Sequence, residues 1–241
     1  MRNKIYTSFD KAVQDIQDGA SVMMMSFAGP GGVPQNLIWA LKNKGARDLE
    51  VMPCPNMGFS TVKKGHPRFK SYITPDILVE NGQVKKGIVT WGGVAYEGSH
   101  FGSAFLEAVT RGEVEGELVP LGVYAYRLRA VGMGAFYSPI GVGTPYEKGK
   151  EKKIINGKEY LIEYPLSADF GFIRAYKADK LGNLIYRGTA RGFNPLIAKA
   201  ARLTIAEVDE IVEPGEIDPE HIITPGIFVD RIVKIAKGDY K

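Results

Sequence analysis

Between Ser8 and Arg111, short apolar runs of strand length alternate with segments of helical periodicity, and glycine or proline marks nearly every change. That alternation constrains the fold more than any single motif, because strands separated by helices predict a mostly parallel sheet with helices packed on its faces. Ser8 is placed to cap a helix carrying Ala12, Val13 and Ile16 on one face and ending at Gly19. The stretch Ala20-Ser-Val-Met-Met-Met-Ser26 predicts a strand covered on both faces. After the turn Ala28-Gly-Pro-Gly-Gly-Val-Pro34, a helix bearing Leu37, Ile38 and Leu41 stops at Gly45. Asp48 to Met52 and Lys86 to Trp91 read as the next two strands, and Ser99 to Arg111 as a helix with Phe105, Ala108 and Val109 inward.

The second half changes character. Asn156-Gly157 lies between two strand-like runs, a strong two-residue hairpin signal. Asp169 to Tyr176 predicts another strand, which turns at Asp179-Lys-Leu-Gly-Asn183 and returns through Leu184-Ile-Tyr186. Pro195 fits the first turn of a short helix from Leu196 to Ala201, and Thr204 to Val212 closes the set as a strand. No repeat, low-complexity segment or linker interrupts the chain. The expectation is one α/β domain over residues 1–241, a single open, mostly parallel sheet with helices on both faces plus an antiparallel hairpin.

Composition excludes several classes of function. The 241 residues include 29 glycines, about 12% against a usual ~7%. No apolar run reaches the ~18 residues of a membrane span, and the N-terminal stretch lacks the apolar core of a signal peptide, so no membrane association and a cytoplasmic location are expected. A single cysteine, Cys54, excludes an intrachain disulfide and a cysteine metal cluster. The net charge is +4 with both signs interspersed, and the densest basic run, Lys148 to Lys153, contains an acid. A nucleic-acid binder would gather its basic residues into a stripe, so no nucleic-acid partner is expected. His66, His100 and His221 are scattered without ligand spacing, and neither G-x-S-x-G nor a Walker sequence occurs; no metal is expected.

Three places could carry chemistry. The Gly29–Pro34 turn joins a strand to a helix, so the amides around Gly29, Gly31 and Gly32 and the helix N-terminus could receive an anionic or carbonyl oxygen; a tight turn needing glycine is the plainer reading. Thr90-Trp91-Gly92-Gly93 ends a strand with a hydroxyl, an aromatic wall and two amides where open α/β sheets bind ligands, against a core tryptophan beside a simple turn. Glu80-Asn81-Gly82 offers a carboxylate as nucleophile or base, or is simply a turn at Asn-Gly.

Blocks spread from residue 18 to residue 230 resemble family I CoA-transferases. They begin with Asp18-Gly19 before the apolar triplet, Phe27, Gly32-x-Pro34 and Glu80-Asn-Gly-Gln-Val-Lys-Lys86. Gly112-Glu-Val-Glu-Gly-Glu-Leu-Val-Pro120, Arg127-Leu-Arg-Ala130, Ala135-Phe-Tyr-Ser-Pro139 with Gly143-Thr144, and Lys177 to Asn183 follow in order. Phe193-Asn-Pro195, Ala206-Glu-Val208 and Thr224 to Asp230 complete the pattern, which is most similar to the A (alpha) subunit of a two-subunit 3-oxoacid CoA-transferase.

The resemblance implies an enzyme that moves CoA from an acyl-CoA to a free carboxylic acid, with the CoA thioester as substrate and no bound cofactor. It implies a B-subunit partner, in a heterodimer or heterotetramer, whose glutamate forms a glutamyl-CoA thioester. Glu80 sits in the A-subunit setting with Val79 in place of the serine expected before that glutamate, so no catalytic residue is assigned to this chain. Its expected part is the acid-substrate pocket, formed by Ser26, Gly29, Gly31, Gly32, Asn56, Thr90, Trp91, Gly92, Gly93 and Leu121. Departures from the family pattern fall in the same places. They are Met25-Ser26 for Gly-Gly, one extra residue between Phe27 and Pro34, and Pro53-Cys-Pro-Asn56 with one Asn retained. The others are Thr90-Trp-Gly-Gly93, Leu121 for glutamine and Gly192-Phe-Asn194. Trp91 and Leu121 suggest an acyl group larger or more apolar than succinate. A thioester hydrolase or carbon–carbon lyase on the same scaffold is the alternative, and a non-catalytic sugar-phosphate-binding module a more remote one.

Overall fold

In the computed structural model, residues 3–26, 31–58, 73–91 and 103–236 are described. The chain runs β1 (Ile5–Tyr6), α1 (Phe9–Val13), β2 (Ser21–Met25), α2 (Gln35–Lys44), β3 (Leu49–Cys54), α3 (Asp76–Glu80), β4 (Val84–Val89), α4 (Ala104–Thr110) and β5 (Glu115–Leu118). It continues through α5 (Leu121–Arg129), β6 (Phe136–Ser138), β7 (Lys152–Ile155), β8 (Lys158–Glu163), β9 (Ala168–Asp179), β10 (Leu184–Ile185), α6 (Asn194–Ala200), β11 (Ala201–Val212) and β12 (Arg231–Lys234). Among the described residues the main sheet has the order β1-β12-β11-β9-β2-β3-β4-β5, parallel throughout, with β10 added antiparallel to β9. The Asn156-Gly157 hairpin does not extend that sheet. It joins β7 to β8, and β6 completes a separate three-stranded antiparallel sheet.

The methionine run shows why the sheet is buried on both sides. Successive strand side chains point to opposite faces. Val22 and Met24 pack in one core with Leu37, Leu78 and Phe105 of α2, α3 and α4, while Met23 and Met25 pack in the other with Tyr124 and Ile197 of α5 and α6. A strand apolar at every position is what two helical layers require.

Local signals place most boundaries. The Ser8 hydroxyl accepts from the Lys11 N–H at 3.2 Å, capping α1 as expected. That helix ends at Val13 rather than Gly19: the guanidinium of Arg231 donates to the Ala12 carbonyl at 2.6 Å and to Asp15, so a distant strand engages the C-terminal turn. Gly45 ends α2 in the left-handed region at φ +75°, with its N–H donating to the Leu41 carbonyl. In the hairpin, Asn156 and Gly157 both have positive φ, as a type I′ turn demands. The helix expected from Ser99 begins later: the Ser103 hydroxyl accepts from the Leu106 N–H and α4 starts at Ala104, while 99–102 lie outside the described residues.

Candidate active site

The topology singles out one place. From β2 the chain passes through α2 to β3 on one side of the sheet; from β9 it passes through α6 to β11 on the other. Neighbouring parallel strands whose connections depart in opposite directions leave a crevice at their carboxyl ends, where open α/β sheets bind ligands. Here that crevice lies between β2 and β9.

Three of the expected site residues follow successive strands at this edge. Ser26, Asn56 and Thr90 come directly after β2, β3 and β4 or within two residues of them. The Asn56 N–H donates to the Ser26 hydroxyl at 3.2 Å, and the Ser26 N–H donates to the Cys54 carbonyl at 3.0 Å. Both Thr90 donors, N–H at 2.7 Å and hydroxyl at 3.1 Å, reach the carbonyl of Pro55, which follows a cis peptide bond. Asn56 turns its own side chain back to the Gly58 N–H at 2.8 Å, so its carboxamide oxygen is engaged locally. Trp91 is 38% exposed and is no core residue, and Leu121, at the start of α5 beyond the next strand, is 50% exposed. Both therefore bring apolar surface to the edge. Gly31 is exposed and Gly32 buried at the end of the β2–α2 connection, whereas Gly29, Gly92 and Gly93 lie outside the described residues.

The helix N-terminus expected to receive an anion is already occupied. The N–H groups of Asn36 and Leu37 donate to Glu207 Oε2 at 3.0 and 3.1 Å, and Glu207 Oε1 accepts from Arg174 at 3.0 Å. A fully buried carboxylate thus takes the free amides and the favourable end of the helix dipole. Burial pushes Glu207 up to about 7 against the pull of Arg174 and the two amides. The amides of Asn36 and Leu37 are therefore not open to a ligand.

Four polar residues were given no site role by the sequence: Arg174 and Gln35, outside the motif blocks, and Asn194 and Glu207, which lie within Phe193-Asn-Pro195 and Ala206-Glu-Val208. Asn194 accepts the Arg174 N–H at 3.0 Å and donates to the carbonyls of Gly32 and Ala190, each at 3.0 Å. Gln35 accepts the Ile73 N–H at 2.8 Å. A sequence signal existed for two of them: Arg174 and Glu207 interrupt the apolar runs Phe170-Gly-Phe-Ile and Ile205-Ala in strands covered on both faces. Charge at such a position must be paired. Arg174 and Glu207 sit opposite each other in the parallel register of β9 and β11, and Asp209 takes the other guanidinium nitrogen at 2.6 Å.

Glu80 stands elsewhere. It is the exposed last residue of α3, before β4 begins, and Thr90 follows the end of that strand. Six residues at roughly 3.3 Å each put it about 20 Å away, at the amino edge of the sheet. Cys54, by contrast, is near the site but buried beside the Tyr124 hydroxyl, and burial pushes its thiol up to about 12, so it is no nucleophile at neutral pH. Groups of three or more potential metal-binding side chains do not occur among the described residues.

Residues 6–235 match the family model described as Coenzyme A transferase. The chain belongs to the coenzyme A transferase family. It is 42% identical over 238 residues to the A subunit of the 3-oxoadipate CoA-transferase of Pseudomonas putida, covering 98% of this chain and 95% of that one. It is 43% identical over 237 residues to the A subunit of the succinyl-CoA:3-ketoacid coenzyme A transferase of Helicobacter pylori strain J99, covering 98% and 94%. An acyl-CoA transferase from Escherichia coli O157:H7, solved as a thioester complex with CoA, superposes with a TM-score of 0.78 at 21% identity. The match takes in 97% of this chain and 47% of that one, so the chain spans about half that protein's length. At that identity the likeness is one of fold. The mostly parallel sheet with helices is thus the scaffold of this transferase, and the carboxyl edge described above is its candidate substrate wall.

Proposed function

We propose that this chain is the A subunit of a two-subunit 3-oxoacid CoA-transferase, a single domain over residues 1–241 that forms the acid-substrate wall facing a partner B subunit. The observation that carries the reading is the identity of 42–43%, over 98% of the chain, with two A subunits of this kind. The A-subunit setting of Glu80 and its place at the far edge of the sheet agree with a nucleophile supplied from outside.

In this reading the partner's glutamate attacks the thioester carbonyl, expelling CoA thiolate and leaving an acyl-glutamyl anhydride. The thiolate attacks the glutamyl carbonyl, releasing the first acid and leaving glutamyl-CoA. The second acid repeats both steps in reverse, regenerating the glutamate. Splitting the exchange into covalent steps lowers each barrier, and exchanging one thioester for another is nearly balanced, so no separate energy source is required. The work of this chain is to hold the acid and exclude water. The Ser26 hydroxyl and the Asn56 carboxamide NH2, with the amides of Gly29, Gly31, Gly32, Gly92 and Gly93, would donate to the carboxylate, while Thr90, whose donors are held by the Pro55 carbonyl, would border it. Trp91 and Leu121 would bound the acyl chain, favouring groups larger or more apolar than succinyl. CoA enters as substrate, and a cytoplasmic setting suits such chemistry; no helix among the described residues is long and apolar enough to cross a membrane.

The test is reconstitution. The isolated chain, and its complex with the partner B subunit, would be assayed for CoA transfer from acyl-CoA to a panel of carboxylic acids. Transfer by the pair and none by the isolated chain is expected. Thioester hydrolysis or carbon–carbon cleavage in place of transfer would give the site to the alternative chemistry, and transfer by the isolated chain would contradict the half-site.

A further inference from the structure

The crevice between β2 and β9 is bridged by side chains that the substrate assignment does not use. Asn194, fully buried, donates to the Gly32 carbonyl on one side of the crevice and to the Ala190 carbonyl on the other, while accepting from the Arg174 backbone. Glu207, also fully buried, divides its two oxygens between the first turn of α2 and the Arg174 guanidinium. One continuous set of contacts therefore runs from the middle of β9 and β11 to Gly32 and to the amides of Asn36 and Leu37. Its end points are the carboxyl-edge connection that borders Ser26 and the helix that follows.

Stability alone is a weak reason for such a cluster. A buried ion pair loses so much hydration that apolar residues of similar volume commonly serve as well. What apolar residues could not do is accept two amide protons and donate to one carbonyl at chosen points of an irregular connection. We propose that Asn194 and Glu207 are positioning residues for CoA transfer, fixing Gly32 and the first turn of α2 at the carboxyl edge where the acid substrate binds. The inference rests on the transferase reading for its kinetic consequence, and on the hydrogen bonds alone for its structural one. Errors of about 1 Å in the placement of reacting groups cost up to ~100-fold in rate.

Asn194→Ala, Glu207→Ala and Glu207→Gln are compared in the reconstituted two-subunit enzyme, by steady-state kinetics and by amide hydrogen exchange across residues 31–37. Asn194→Ala is expected to lower kcat/KM at least tenfold, well below its melting temperature. Exchange at 31–37 should quicken at least tenfold while the peptides of β2 and β9 exchange as in wild type. Glu207→Gln keeps an oxygen for the α2 amides, so it should retain slow exchange at Asn36 and Leu37 and recover part of the activity that Glu207→Ala loses. A purely structural role would lower the melting temperature of all three and leave kcat/KM unchanged at a temperature where they are folded. That result, or wild-type exchange at 31–37 in both alanine variants, would overturn the proposal. Should Asn194→Ala not fold, the two Glu207 variants still decide it. Should the wild-type pair transfer no CoA, the transferase reading fails, while the exchange arm still reports whether these side chains hold the connection.

Discussion

Asp76 illustrates how one buried carboxylate acquires its character from the elements around it. It accepts the N–H groups of Ala104 and Phe105 at 2.7 and 2.9 Å and the Ser103 hydroxyl at 3.3 Å, tying the start of α3 to the start of α4. Burial outweighs those donors, and with the Glu80 carboxylate nearby it pushes Asp76 from its ordinary 3.8 up to about 6. The folded protein therefore holds this proton more tightly than the unfolded chain does. The stability this provides is complete below 3.8 and is lost as pH rises through about 6, an effect on the order of 2 to 3 kcal/mol. Asp76→Asn keeps an acceptor oxygen and removes the titration, so denaturant unfolding measured from pH 4 to 8 should lose that part of its slope. An equally steep profile in the variant would place the dependence on another group. Motif reading passed over Asp76 because nothing near it in sequence shows that Ser103 and two amides will meet it; those partners lie 27 to 29 residues away.

At the scale of elements, β4 and α4 pack closely through a glycine. A side-chain carbon at Gly87 would collide with the edge of the Phe105 ring and fall 2.6 Å from Met57 Cε, inside the core that covers one face of the sheet. Gly87→Val should cost about 1–3 kcal/mol, read as a lowered midpoint in chemical unfolding, because an overpacked core must shift its neighbours. An unchanged midpoint would mean that Met57 and Phe105 yield freely. The elements themselves were largely legible: the both-faces-apolar methionine strand, the glycine stop of α2 and the Asn-Gly hairpin each follow from local chemistry. Others were not. The strand β5, with exposed Glu115 and Gly116 and an exposed Leu118, carries no apolar signature, since it is the sheet's edge. The helix α5 begins at a proline cap and was visible only as a motif block.

For the molecule as a whole, the order of strands decides which residues can share a site. Parallel connections bring the residues that follow β2, β3 and β4 to one edge and leave those that precede them at the other. Glu80, attractive as an isolated carboxylate, is thereby separated from Thr90 by the full length of β4. Glu80→Gln in the reconstituted enzyme should leave kcat/KM within about twofold of wild type, a change near the limit of ordinary surface substitutions. A loss of two orders of magnitude would restore Glu80 to the chemistry and with it the self-sufficient chain.

By itself the sequence determined the class of sheet, the two-faced burial of its central strands and, through motif blocks spread over most of its length, the family. Those properties depend on local periodicity, turn chemistry and residue order, all of which are written along the chain. Only the tertiary structure decided where β2 and β9 part company, that Glu207 would close the N-terminus of α2, and that Asn194 would hold Gly32 from 162 residues away. Such contacts depend on strand register and on which face each connection crosses, and a buried charge finds its partner only when those are set.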